Sequence, residues 1–254
     1  MPVLRIAMCN FQTGIGTTRG YWHYLITAWK YRFPHDSRAA LTAGAGLLRS
    51  ERIDIAALCE LEASARRTRG IDQLATIADA AGLPHTAFFP ALVSRDHLNQ
   101  GNGVCSRFPV TATANHRLPG TGEPRFLSEA QVGVGSRPIR LLVTHLALAA
   151  PDRRLQVERI LELVSDSSEP TILAGDFNIS HRRELEILAE TPLDQSVSAP
   201  TFPSWNPRRH LDHLFFTKHF EILASHAPAD PLFSDHLPLI AEVSYSATAQ
   251  YSPG

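Results

Sequence analysis

Polar, metal-seeking side chains recur in this chain at the ends of apolar, strand-like runs. Asn10 ends the first run, Glu60 closes Asp54-Ile-Ala-Ala-Leu-Cys-Glu60, and His145 closes Leu141-Leu-Val-Thr-His145. Asp176 and Asn178 follow Thr171-Ile-Leu-Ala-Gly, Asp212 begins a run with His213-Leu-Phe-Phe, and Asp235 with His236 opens another in Ser234-Asp-His-Leu-Pro. One acidic residue at a strand end is a solvated turn residue. A series of them needs another reason, because carboxylates are rarely buried unless paired or metal-bound. Carboxylate and amide oxygens without cysteine ligands suit a hard cation, Mg²⁺ or Mn²⁺, better than Zn²⁺. That leaves the histidines for acid–base or charge-stabilising work.

These residues need elements to hold them. The pattern predicts strands over 3–11, 53–59, 103–106, 139–145, 171–174, 211–217 and 239–245. Helical spacing marks 37–50, with Ser37 placed to cap it, then 70–81, then 151–164 with Pro151 suited to the first turn, and a shorter stretch over 183–190. Strands and helices interleave without the strict alternation of a parallel α/β sheet. Strand 211–217 followed closely by 220–226 predicts an antiparallel hairpin. Two packed sheets with helices outside fit best. With no internal repeat and no shift in composition, residues 1–254 are expected to form a single domain, with a fraying tail after 244.

Composition narrows the setting. The chain has 254 residues, 44% hydrophobic and 19% charged, long enough to bury a core without disulfides. The apolar runs are too short to span a bilayer, and the N-terminus lacks the pattern of a signal peptide, so a cytoplasmic protein without an integral membrane segment is expected. Cys9, Cys59 and Cys105 sit in apolar runs and read as reduced, buried thiols. The net charge of −1 gives no global attraction to polyanions. Of the 24 basic residues only Lys30 and Lys218 are lysine. Arginine suits phosphate recognition, although a coding bias explains the same excess.

The ordered set Asn10, Leu58-Cys-Glu60, Ser106-Arg107-Phe-Pro109, Thr144-His145, Gly175-Asp176-Phe-Asn178, Leu211-Asp212-His213 and Ser234-Asp235-His236-Leu-Pro238 resembles the endonuclease/exonuclease/phosphatase superfamily. The resemblance runs over nearly the whole chain. It implies a four-layer α/β sandwich, an α+β arrangement of two mixed sheets face to face with helices outside, and metal-dependent phosphoester hydrolysis. It further implies that Glu60, helped by Asn10 and Asp235, holds the divalent cation. Asp176 would orient or deprotonate the attacking water and Asn178 would bind the phosphate. His236, held by Asp212, would contact a phosphoryl oxygen, and His145 would be a second donor to the phosphate. Arg107 fits a secondary anchor or an exposed turn. Cys59 stands where relatives often carry glutamine, and strand alternation points it away from the site.

Residues 12–36 look like an insertion into that pattern. Tyr21, Trp22, Tyr24, Trp29, Tyr31 and Phe33 crowd there, interleaved with Arg19, His23, Lys30, Arg32 and His35. As a helix it would gather Trp22, Leu25, Ile26, Trp29 and Phe33 on one face. That face either packs on the rim of the sandwich, or Tyr21, Tyr24 and the cations stay exposed near the site, to stack nucleobases or meet lipid head groups. Phe202 and Trp205, on Thr201-Phe-Pro-Ser-Trp-Asn-Pro207, form a second lip or a structural plug. The role of Gly120-Thr-Gly-Glu-Pro-Arg125 is open. The leading expectation is a Mg²⁺/Mn²⁺-dependent nuclease acting on DNA or RNA. The alternative is a hydrolase of a small or lipid-linked phosphoester, and a binding protein that kept only the fold comes last. A continuous arginine stripe would favour nucleic acid, an enclosed pocket a small substrate. Oligomeric state is not legible.

Overall fold

Alternation along the strands decides the architecture. The structure, a computed structural model, describes residues 1–94, 98–165, 168–179, 185, 191–230 and 232–246. The helix expected at 183–190 and most of the tail after 244 lie outside them. One sheet contains β1 (Val3–Asn10), β2 (Ile55–Glu62), β3 (His85–Ser94), β4 (Leu98–Ser106), β11 (Phe220–His226) and β12 (Leu239–Tyr245), in the order β11-β12-β1-β2-β4-β3. The other contains β5 (Val110–Arg117), β6 (Phe126–Val132), β7 (Ile139–His145), β8 (Thr171–Asp176), β9 (Gln195–Ser198) and β10 (Asp212–Phe216), in the order β5-β6-β7-β8-β10-β9. Both are mixed: β1 and β2 run parallel, as do β7 and β8, and the other pairs are antiparallel.

Successive side chains of a strand face opposite sides. Leu4, Ile6 and Met8 of β1 therefore meet Ile139, Leu141 and Val143 of β7 in the core between the sheets, joined by Ile172, Leu214 and Phe216. The intervening Ala7 and Cys9 face outward against α2 (Arg38–Ser50) and α3 (Gln73–Ala81), through Leu41, Leu48 and Ile77. On the far side Leu142, Leu173 and Phe215 pack against Val157, Ile160 and Val164 of α4 (Ala150–Val164). Helices, sheet, sheet, helix make four layers, as expected. Each fully buried Leu, Ile or Phe contributes roughly 1.5–3 kcal/mol. The three thiols are free and buried.

Several local expectations are corrected. Strands β10 and β11 do not form a hairpin: β10 pairs with β8 and β9, whereas β11 pairs with β12 in the other sheet. The link between them crosses the sandwich, because Phe216 and Phe220 both point into the core and their rings sit 5.7 Å apart. Ser37 is the N-cap of α2 but makes no side-chain capping bond. The Arg38 N–H donates instead to Asp36 Oδ1 at 3.0 Å. Asp72 does cap α3, accepting from the Ala75 N–H at 3.0 Å. Strands β3, β5, β6 and β9 were not expected, since their polar or partly exposed sequences (Pro90 within β3, Asn115-His116-Arg117 in β5) lack a clean apolar alternation. The segment before α2 forms a short helix, α1 (Tyr21–Thr27), and one tighter turn over Ala28–Tyr31.

Candidate active site

Parallel pairing brings the site together. Asn10 ends β1 opposite Cys59 on β2, and His145 ends β7 opposite Asp176 at the end of β8. Because β10 runs antiparallel to β8, Asp212 at its start lies opposite Asp176. Plain alternation would send Glu60 to the helix side with Ala56 and Leu58. Instead the β2–β4 register slips between Leu58 and Leu61, and Glu60 takes φ 53°, a left-handed conformation uncommon for a non-glycine residue. The bulge turns the Glu60 carboxylate into the gap between the sheets' ends, where it reaches the Asn10 amide at 2.9 Å. Cys59 points into the core between the sheets, beneath the site, with its Sγ 3.2 Å from the Thr144 carbonyl oxygen. The expectation that alternation turns it away from the site fails, because the bulge and not alternation brings Glu60 inward.

The hydrogen bonds assign protons. His236 Nδ1 lies 2.8 Å from Asp212 Oδ2, which also accepts from Thr201 Oγ1, and His236 Nε2 is 3.6 Å from Asp176 Oδ2. Burial alone would lower the imidazole pKa, but the Asp212 and Asp176 carboxylates hold it well above the ordinary value. The His236 ring lies against Phe202 with centroids 4.9 Å apart. His145 is its opposite: burial, then the charges of Arg125 and His236, hold its pKa well below the usual value. Arg125 Nη1 sits 3.0 Å from His145 Nδ1 and can only donate, so the imidazole proton is on Nε2, 3.7 Å from Asp176 Oδ2 and 3.9 Å from Glu60 Oε1. Asp176 accepts from the Asn178 N–H at 2.9 Å and from Asn10 Nδ2 at 3.1 Å. Burial raises its carboxyl above the usual range. Asn178, at φ 53°, holds the Leu146 carbonyl with one amide hydrogen and keeps the other.

A second pair of carboxylates stands at the mouth. Burial and the nearby Asp235 charge push the Glu60 carboxyl up to about 7. Asp235 accepts from Ser234 Oγ at 3.1 Å and from Tyr24 Oη at 2.6 Å. Asn10 donates to Glu60 and Asp176, while its Oδ1 accepts from the Gln12 N–H at 2.9 Å. Among the described residues, Asp176, Asp212 and His236 also bring one ligand atom each within 4.8 Å of one another, a group able to hold a divalent cation.

A cleft of about 470 Å³ opens over these groups, walled by Tyr24, Tyr31, Arg125, Leu148, Phe202 and Arg209. Two anticipated residues lie elsewhere. Arg107 is 3.1 Å from Asp54, which precedes β2, whereas Glu60 lies near the strand's other end. Six residues of strand put it about 20 Å from Glu60 along the sheet, and Arg107 is no part of the cleft wall. Trp205 is not in the cleft wall but in an adjoining hollow with Tyr21, Arg208 and Arg209, its ring 5.4 Å from Tyr21 and 5.9 Å from Tyr24. Sequence reasoning missed Tyr24's bond to Asp235, and it missed Arg125 and Arg209. The Gly120–Arg125 loop, left without a role, delivers Arg125; nothing marked Arg209 apart from its closeness to Trp205.

The profile of the Endonuclease/Exonuclease/phosphatase family matches residues 37–236. Among solved structures, the chain is similar to a mannosyl-6-phosphatase of Bacteroides thetaiotaomicron, with TM-score 0.69 and 16% identity over 95% of this chain and 100% of that one. It is similar to the D. rerio protein TDP2, solved with a single-strand DNA product, with TM-score 0.68 and 15% identity over 95% and 99% of the two chains. The human Nocturnin catalytic domain, solved with a bound sulfate anion, gives TM-score 0.65 and 17% identity over 96% and 95%. Comparison with curated proteins returns no relative by sequence.

Proposed function

The chain belongs to the endonuclease/exonuclease/phosphatase family of metal-dependent phosphoesterases, and from that premise we propose that it hydrolyses a small or lipid-linked phosphoester rather than a polynucleotide. The observation that carries this reading is the cleft: a bounded space with two arginines, Arg125 and Arg209, facing several carboxylates. A protein gripping successive phosphates presents a basic surface along its site, whereas the other residues that wall this cleft include Glu60, Glu123, Asp176 and Asp235.

The donor set fits a hard cation. Besides the Asp176, Asp212 and His236 group, Glu60 and Asp235 offer two carboxylates to such a cation, and a divalent charge there would offset the burial and the Asp235 charge that raise Glu60. Mg²⁺ or Mn²⁺ would neutralise a phosphoryl oxygen and support the leaving oxygen. Asn10 positions Glu60 and Asp176 through its amide; as placed, its oxygen is committed to the Gln12 N–H. Asp176, gripped on both oxygens, orients water and takes its proton. The Nε2–H groups of His236 and His145 and the spare hydrogen of Asn178 point donors at the phosphoryl oxygens, where negative charge grows.

A second reading, cleavage of a nucleic-acid phosphodiester, is favoured by one observation: the hollow of Tyr21, Trp205, Arg208 and Arg209 offers a stacking surface beside the cleft. Hydrolysis by purified protein distinguishes them, with single- and double-stranded DNA, RNA, bis-p-nitrophenyl phosphate, a phosphomonoester and a choline phospholipid, each with Mg²⁺, Mn²⁺ or EDTA. Turnover confined to small or lipid esters is expected; metal-dependent cleavage of a polynucleotide in preference to them would overturn the first reading.

A further inference from the structure

The segment 12–36 is built inside out. Thr27 faces inward, its Oγ1 3.0 Å from Thr17 Oγ1; Tyr31 Oη accepts from Gln12 Nε2 at 3.1 Å; Tyr24 reaches Asp235. The apolar face that would ordinarily seat such a helix on the rim of the sandwich is turned to solvent instead. Trp22, Leu25, Ile26, Trp29 and Phe33 are 54%, 82%, 58%, 48% and 60% exposed. This overturns the rim-packing expectation. A contiguous exposed cluster of this kind marks an interaction surface, and it lies outside the span matched by the family profile, which begins at residue 37.

Charge indicates what covers it. Residues 12–35 carry Arg19, Lys30 and Arg32 and not one carboxylate, in a chain whose net charge is −1. Lys30 donates to the Ile15 carbonyl, but Arg19 and Arg32 are exposed and have no carboxylate partner among the described residues. A separate segment adds exposed Arg66 and Arg69. It is tied to the first by Arg67, whose carbonyl accepts from the His35 N–H at 2.9 Å and whose guanidinium donates to the Tyr31 carbonyl at 3.2 Å. The nearest acid along the chain, Asp36, is taken by Arg38 at 3.0 Å.

We propose that this face docks on an anionic phospholipid surface. Trp22, Leu25, Ile26, Trp29 and Phe33 enter the boundary between head groups and acyl chains, and the arginines meet the lipid phosphates. Indole rings flanked by cations suit that boundary. A second copy of the chain would set arginines against arginines. The docking segment also supplies Tyr24 and Tyr31 to the cleft wall. Docking goes beyond the phosphoesterase reading and needs neither metal nor turnover.

Flotation of the full chain with vesicles of phosphatidylcholine alone, or mixed with phosphatidylserine, tests it. The protein should float with the mixed vesicles, less so as NaCl rises. Trp22→Ala/Leu25→Ala/Ile26→Ala should lose at least about tenfold in partitioning while hydrolysing bis-p-nitrophenyl phosphate at the wild-type rate. Arg19→Glu/Arg32→Glu should lose the preference for phosphatidylserine. No flotation, equal flotation of wild type and both variants, or a wild-type dimer that the triple variant abolishes would overturn the proposal. Vesicle binding without any phosphoester turnover would sink the phosphoesterase reading and leave this one standing.

Discussion

Two histidines a few ångströms from one carboxylate have pKa values moved in opposite directions, in part by what each ring's far nitrogen meets. His236 Nδ1 faces the Asp212 carboxylate and His145 Nδ1 faces the Arg125 guanidinium. Asp212→Asn removes the largest influence raising the His236 pKa, leaving Asp176 and Asp235 to oppose burial. His236 then gives up its proton at lower pH, so the alkaline limb of the pH–rate profile should move toward acid; an unmoved limb would separate His236 from catalysis. His236→Ala should cost at least about 10²–10³-fold in kcat with the melting temperature nearly retained. Glu60, raised to about 7, must lose its proton to bind a cation. Divalent affinity should therefore rise as pH passes upward through about 7, with proton uptake by the buffer visible in calorimetry, and Glu60→Gln should flatten that dependence.

Elements set these distances through backbone contacts. Gly175 lets β8 approach β7 so closely that an added Cβ would lie 2.4 Å from the Thr144 carbonyl oxygen. Gly175→Ala should force apart the strands bearing His145 and Asp176, costing about 1–3 kcal/mol in urea denaturation and lowering kcat more than it raises KM. At the other edge, α1 steadies Asp235 through one phenol. Tyr24→Phe should keep the fold and weaken divalent affinity by about tenfold, read by calorimetry. The strands that end in the site were legible because their apolar runs are largely buried on both faces and broken only by single polar residues, such as Arg140 in β7 and Glu242 in β12; the bounds of β7 and β12 match residue for residue. Edge strands β3, β5 and β9 and interior β6 were not, because polar residues and a proline interrupt them (Pro90 in β3, Asn115-His116-Arg117 in β5, Ser128, Glu129 and Gln131 in β6), and no clean apolar alternation is left to read. The motif residues at strand ends did gather in one place, but the bulge that aims Glu60 has no signature in its side chains. Arg125 and Tyr24 reach the site from loops and a short helix whose positions only tertiary packing decides.

Across the whole molecule, a net charge of −1 and a bounded cleft argue for weak long-range attraction to a substrate. KM for a small phosphoester should change less than about threefold between 50 and 200 mM salt, against the loss of about 10³ or more that a ligand gripped through many phosphates would suffer. The core between the sheets carries the fold: Phe216→Ala should cost about 3–5 kcal/mol, measured by denaturant titration. The register of that sandwich also orders events in time. Strand β1 is bonded on one flank to β2 and on the other to β12, residue Val3 opposite Ser244. Asn10 ends β1, and Asp235 and His236 immediately precede β12. On the ribosome, β1 therefore waits with an open edge for β12, and the nascent chain cannot complete its catalytic centre until His236 has emerged. A stalled or clipped product lacking β12 would be both inert and sticky, so quality control by chaperone or protease is built into the order of the strands.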